Sequence, residues 1–526
     1  MDSGCAGAPG REAIWVSNVN ARRDAIVQAW RTVLESDPAS DDENFFDAGG
    51  NSILLVVLQR ELSKRLGFRV PLRMISGAPT VSGLMELEGA TGGNSETATP
   101  FPPPQDKPAP LAHSQERLWL AEQFNPGHAD GTIEHAYFLS GDLDPTRLES
   151  ALLRVIEHHA VLRTVYPIDE VSLEPTQVAR PTAALTLEQR PAANVSGAED
   201  LETLAARLIS DWWETPFDLE ADPPLRARLC ALDEGRHMLC LQMHHLAFDG
   251  WSEKLLIEDL ATAYAGGDLQ APPVSYESYS RWERAETERW QENDIPFWRE
   301  HLSQAPPPFL PAPPDSAQAA RREESFDLDR ETVGRLIGAA ARHSGPPGAA
   351  LLAAAGRAMS GVFGVPDLCL GTVTAGRVAT ALEPVIGCFI NPLALVLQGA
   401  SEQTAGELLS SSAEVLTSAM EHGRTPFNEV VRLLGPDRSR HPWFQAWVVL
   451  QNDPPRVVLD DTVLLEAVRV PQPLSSLDLL VEAIPRPDGG WRVYLAWRAD
   501  YIDEVTGMAL LEGLRTAFTD MAALAS

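Results

Sequence analysis

The stretch "LQMHHLAFDGWSEKLL", residues 241–256, sets the reading of the chain. It begins as an apolar strand, ends that strand on two adjacent histidines, and passes through Asp249 and Gly250 into an amphipathic helix. Successive side chains of a strand point to opposite faces. At most one of His244 and His245 therefore faces a given cavity. No His pair at i, i+4 and no nearby cysteine supports a metal site. An imidazole at a strand terminus, with glycine backbone and a helix N-terminus beside it, suits proton transfer next to a developing oxyanion.

Working outward, strand and helix signals alternate over residues 111–526. "AYFLSGDLD" (136–144) reads as a strand and "PTRLESALLRVIEHH" (145–159) as a helix. "RHMLCLQMHH" (236–245) is a buried strand, and the helix after it runs through "SEKLLIEDLATAYAGG" (252–267). A Trp-rich helical stretch follows at 276–302 and breaks at "QAPPPFLPAPPD" (304–315). This pattern predicts two α/β lobes, 111–285 and 286–526, with no short-period repeat.

Towards the N-terminus the composition changes. Residues 89–110, "GATGGNSETATPFPPPQDKPAP", are rich in Gly, Ser and Thr, then in Pro, and read as a linker reaching at most ~70 Å when stretched. Residues 18–88 read as a small all-α bundle. One helix carries Ile26, Trp30, Val33 and Leu34 on a face, a second starts at Ser52, and a short last one has Thr80 as its N-cap. In "NFFDAGGNSILLVVLQREL" (44–62), two glycines and an asparagine present Ser52 at a helix start with no base near it in sequence. There is no G-x-S-x-G elbow. A serine at this place is either a helix N-cap or a point of attachment.

The chain has 526 residues and a formal charge of −32, too long for one core and without the basic stripe of a nucleic-acid binder. It has no apolar run long enough to span a bilayer, and the first residues lack the basic-then-apolar order of a signal peptide. The five cysteines are dispersed, none in CxxC spacing, which favours a reducing, cytoplasmic setting over a disulfide framework.

Two resemblances follow from these segments. "DENFFDAGGNSILLVVLQREL" and "FRVPLRMISGAPTVSGLMELE" resemble peptidyl carrier proteins, in which the serine carries a 4′-phosphopantetheine arm added by a phosphopantetheinyl transferase. The resemblance makes Ser52 a tether, which accounts for the missing base. HHxxxDG at 244–250 resembles the signature of nonribosomal peptide synthetase condensation domains. "HSQERLWLAEQF" (113–124), "HHAVLRTVY" (158–166), "YESYSRWE" (276–283), "IGCFINPLALVL" (386–397), "HGRTPFNEVV" (422–431) and "DRSRHPWFQ" (437–445) resemble that family's other motifs in order. Ser280, Arg281, Pro392 and Asn428 depart from them.

The resemblance implies two chloramphenicol-acetyltransferase-like lobes in a V, with the histidines in a tunnel between. It implies amide formation between a donor thioester on the carrier and the amine of an acceptor held on a downstream carrier. An adenylation domain would lie upstream, and the piece, cut from a longer assembly line, would be monomeric. No metal is implied. His245 is the expected orienter or base, His244 packs away from the tunnel, Asp249 fixes the loop, Gly250 permits close approach, and Arg163 is the expected salt-bridge partner of Asp249. The segment "RLWLAEQ" (117–123), with Ala121 where the pattern R-L-W-x-L-x-Q has Leu, resembles condensation domains that take an L-configured donor. An epimerization domain and a non-catalytic docking platform are the alternatives; the intact His245 and the motifs at 386 and 422 weigh against them.

Overall fold

The computed structural model describes residues 11–524 except for single positions and short segments, the longest being 87–99, 125–130, 192–199, 311–318 and 436–442. Four helices make the N-terminal bundle: α1 (Arg11–Leu34), α2 (Ser52–Leu66), α3 (Leu72–Gly77) and α4 (Val81–Met85). Ile26, Trp30, Leu58, Leu62 and Leu84 are fully buried in its core. Trp30 meets Phe45 edge-on, with ring centroids 5.4 Å apart. Thr80 caps α4, its Oγ1 accepting from the Gly83 amide at 3.0 Å, as the sequence predicts.

The rest is built on two large sheets. The first has six strands, ordered Arg456–Asp460, Val463–Val468, Thr132–Gly141, Arg236–His244, Leu225–Asp233 and Glu188–Pro191. Its core packs the helices Pro145–His158 and Gly250–Tyr264 over one face. The second has seven strands, ordered Asn391–Leu397, Leu368–Thr374, Ala446–Leu450, Leu479–Pro485, Trp491–Arg498, Ala319–Leu328 and Leu474–Ser475. Against it lie the helices Pro347–Phe363, Ala405–Glu421 and Glu504–Ala523, whose alanine- and leucine-rich faces are buried.

Two features depart from the sequence division into 111–285 and 286–526. The helix Tyr276–Ser303 runs through that boundary without a break. The hairpin 456–468, late in the chain, completes the first sheet by pairing Val463–Val468 antiparallel with Thr132–Gly141. Hydrophobic alternation marks a strand but carries no information on which sheet it joins. Arg469, just past the hairpin, fastens the crossing by a paired contact with Glu323 of the second sheet at 2.6 Å.

The linker reading also changes at its C-terminal end. Phe101 packs on Trp282, with centroids 4.7 Å apart. Ala109 and Pro110 pair with Thr176 and Gln177 as a strand. Arg281, one of the residues that departs from the motif pattern, donates to the carbonyls of Lys107 and Pro108 at 2.6 and 3.0 Å. This end of the segment is thus part of the folded unit.

Candidate active site

The strand Arg236–His244, interior in the first sheet, ends on His244, and His245 follows directly. His244 is 2 % exposed. Its Nδ1 accepts from the Leu246 amide at 3.1 Å, and its ring stands edge-on to Phe217. Its Nε2 lies 3.9 Å from a Glu122 carboxylate oxygen. His244 is therefore held by packing and by the turn it helps to shape.

His245 retains some solvent contact. Its backbone amide donates to the Gly131 carbonyl at 2.9 Å, and its Nδ1 lies 3.0 Å from the Phe248 carbonyl. A carbonyl only accepts, so Nδ1 carries the proton and Nε2 is left as an acceptor. Burial pushes the pKa down to about 4, with His244 and Arg117 adding to the shift and the Phe248 carbonyl opposing it. At neutral pH the ring is uncharged, with one lone pair free of any protein hydrogen bond among the described residues.

Asp249 does not meet Arg163. It is fully buried, and Arg377 grips it with two bonds of 2.8 and 3.1 Å. The same carboxylate accepts from the Ser252 amide at 2.9 Å, the Ser252 hydroxyl at 2.7 Å and the Phe389 amide at 3.0 Å. It is at once the N-cap of the helix Gly250–Tyr264 and the anchor of the 376–391 segment. Arg163 instead donates to the Arg180 carbonyl. The physical reason is one of reach: Arg163 ends a short 3-10 turn that leads into the two-residue strand Thr164–Val165. Arg377 follows a strand of the second sheet and enters beneath the motif.

The 376–391 segment is pinned to the helix start at further points. Trp251 Nε1 donates to the Glu383 carbonyl at 3.0 Å, and the Ser252 hydroxyl oxygen accepts from the Gly387 amide at 3.1 Å. Asn391 then joins the segment to the loop before Phe427, accepting from the Phe427 amide at 2.8 Å and donating to the Thr425 carbonyl at 2.9 Å. At Gly250 a Cβ would meet nothing nearer than Gln451 Oε1 at 3.8 Å. No protein atom demands glycine there, and the space in front of it is open.

A cavity between the lobes is lined by Ser114, Arg117, Phe389, Asn391 and Asn428, among others. Arg117 is the group that sequence reading passed over, although it stands inside the "QERLW" segment. Its charge reaches His245. Burial pulls its own pKa down, and no ion pair or hydrogen bond neutralises it among the described residues. The signal was present in sequence as an arginine between Gln115 and Leu118 on the helix His113–Phe124. Only the fold shows that it faces inward.

In the carrier, α2 begins at Ser52, and no acidic residue stands in its first turn. The Ser52 side chain itself lies outside the described residues. Gly50 sits so close to Phe45 that a Cβ would fall 2.3 Å from its ring. The loop is thereby pressed onto the core just before the serine. A helix start with no acidic residue in its first turn fits a phosphate-linked group on that serine.

Comparison with known proteins agrees with this geometry. Residues 105–522 match the family model described as condensation domain, and residues 24–87 match phosphopantetheine attachment site. A plipastatin synthase polypeptide of Bacillus subtilis (strain 168) is 30 % identical over 505 residues, covering 93 % of this chain and 19 % of the relative. Phosphinothricin tripeptide synthetase PhsB of Streptomyces viridochromogenes is 31 % identical over 450 residues, covering 82 % and 37 %. The chain thus spans well under half the length of these relatives. Among solved structures, the first condensation domain of the calcium-dependent antibiotic synthetase superposes with a TM-score of 0.68 at 21 % identity, over 80 % of this chain and 98 % of that one. The X-domain from teicoplanin biosynthesis gives 0.66 at 26 %, over 81 % and 96 %. The chain belongs to the condensation-domain family and carries a phosphopantetheine-attachment domain ahead of its condensation domain.

Proposed function

We propose that this chain forms an amide bond in nonribosomal peptide synthesis. An acyl or peptidyl donor held as a thioester on the carrier is transferred to the amine of an aminoacyl group on a second carrier. The phosphopantetheine on Ser52 supplies the thiol that holds the donor. The chain's own residues do the rest by placement. His245 Nε2 accepts a hydrogen bond from the incoming amine and aims its lone pair at the carbonyl carbon. A C–N bond forms, the C–S bond breaks, the nitrogen gives up one proton, and the departing sulfur takes one. The reaction is downhill, and it needs no nucleotide at this step. Arg117 adds a fixed positive charge near the carbonyl oxygen that becomes negative.

The single observation that carries this reading is the 3.0 Å contact of His245 Nδ1 with the Phe248 carbonyl, which leaves Nε2 as the acceptor, on a loop locked by Asp249 and Arg377. A docking role, the kind of task suggested by the solved complex of the teicoplanin X-domain with OxyB, gives such an arrangement nothing to do. The downstream carrier, the upstream adenylation domain and the phosphopantetheinyl transferase are the partners this reading requires. It places the monomeric chain in the cytoplasm, away from nucleic acid and membrane; among the described residues no helix is long and apolar enough to cross a bilayer. The preferred donor is L-configured. The test is to load Ser52 with paired L and D donors, add a loaded acceptor carrier, and read the acceptor's intact mass together with the configuration of the donor recovered from Ser52, by chiral chromatography. Amide product from the L donor supports the reading. An inverted donor with no amide would make the chain an epimerase, and no change on either carrier would leave only docking.

A further inference from the structure

The carrier rests on the second lobe through α3. The Leu72 amide, at the start of α3, donates to Glu421 Oε1 at 2.9 Å, and Glu421 is the last residue of the helix Ala405–Glu421. In the other direction, Ser76 Oγ donates at 2.6 Å to the carbonyl of Ser344. Ser344 lies just past the helix Arg330–Arg342, with φ at +57°. The first amides of a helix have no partner of their own, so the lobe completes α3 while the carrier satisfies a carbonyl of the lobe. Ser76 is fully buried although polar. Ile337 and Met420 of the lobe pack against the carrier core. Gly77 closes the contact, since a Cβ there would lie 2.8 Å from Ser344 Oγ and 3.3 Å from its Cβ.

The contact has a second end. Helix α2, which begins at Ser52, comes alongside the short turn Thr380–Leu382. That turn is three residues beyond Arg377, whose guanidinium holds Asp249. A carrier seated by α3 therefore has its attachment helix over the segment that shapes the His245 loop.

We propose that Glu421, Ser344, Ile337 and Met420 form a reading surface for the third helix of the donor carrier, and that it selects carriers ending that helix in glycine. This rests on the condensation reading and adds the surface and the selection rule. A carrier with a larger residue at the position of Gly77 is held off Ser344, and both hydrogen bonds lengthen together.

The experiment uses the full holo-chain and one loaded acceptor carrier. Each variant receives its donor in two forms: as a thioester on Ser52, and as a diffusible small-molecule thioester of the same acyl group. The readout is the ratio of the carrier-borne rate to the diffusible rate. Glu421→Arg and Gly77→Val are expected to lower that ratio about tenfold, the scale of one charge-assisted hydrogen bond lost. Glu421→Gln keeps an acceptor oxygen and is expected to hold the ratio within about twofold of the parent on the same scale. Phosphopantetheine loading of each variant reports that the carrier is folded. An unchanged ratio in both Glu421→Arg and Gly77→Val, in chains that load normally, overturns the proposal. Absence of amide from the parent with either donor form would instead overturn the condensation reading itself.

Discussion

Arg377 grips both carboxylate oxygens of Asp249 across 128 residues of chain, at 2.8 and 3.1 Å, with both side chains almost fully buried. Breaking such a pair leaves one charge inside the protein with no partner, at a cost of about 3–5 kcal/mol. Arg377→Ala is therefore expected to lower the thermal midpoint sharply and to loosen the 376–391 segment. Arg163→Ala removes only a contact to a surface carbonyl and should shift melting little. Calorimetry on both variants decides between them. Equal losses would return Arg163 to the role its motif implies.

That pair also marks how far the sequence could be read. The signature at 244–250 fixed which residues matter, because their types and spacing are local properties. The cap at Thr80 and the helix begun at Ser52 were legible for the same reason. The cation opposite Asp249 was not, since Arg377 stands in none of the motif segments and reach depends on how the sheets cross. The hairpin 456–468 was not legible either, since nothing local in its sequence says that it leaves its neighbours and completes the first sheet.

His245→Ala should slow amide formation by about 10²–10⁴-fold, the range for a positioned acid–base or hydrogen-bonding group. His244→Ala should act on folding first, because His244 shapes the turn through Leu246 and packs on Phe217. Single-turnover rates with intact-mass detection, alongside circular dichroism, separate the two. Comparable rate losses in equally folded proteins would argue that both rings face the acceptor.

The acid limb of the reaction follows from the depressed His245 pKa. The neutral ring is the working form, so the rate should hold steady through neutral pH and fall only as pH drops towards about 4. Arg117 lowers this pKa, and Arg117→Met is expected to move the limb to higher pH, whereas Arg117→Lys keeps it in place. Linkage gives an independent check. The folded value lies below the ordinary 6.5, so between about 4 and 6.5 the unfolded chain binds more protons. His245 thus contributes stability that rises with pH across that window and is complete above it. A rate limb that stays put in Arg117→Met would remove Arg117 from the electrostatics of the site.

In the carrier, the decisive contact is Gly50 on Phe45. Phe45 is fully buried and meets both Trp30 and Phe46 edge-on, with centroids 5.4 and 5.6 Å away. A methyl group at position 50 would fall 2.3 Å from the Phe45 ring and must push that ring out of the core or lift the loop that precedes Ser52. Overpacking of this kind typically costs about 1–3 kcal/mol. Gly49 differs: its φ of +102° strains any other residue, but a Cβ there meets nothing within 4 Å. Gly50→Ala should therefore slow phosphopantetheine transfer from CoA and lower carrier stability more than Gly49→Ala does. Ser52→Ala should abolish the mass gain, because its loss removes the attachment point. A mass gain that survives Ser52→Ala would move the attachment elsewhere. Equal slowing by both glycine variants would show that loop strain, and not the seating of Phe45, governs how the transferase reaches the serine.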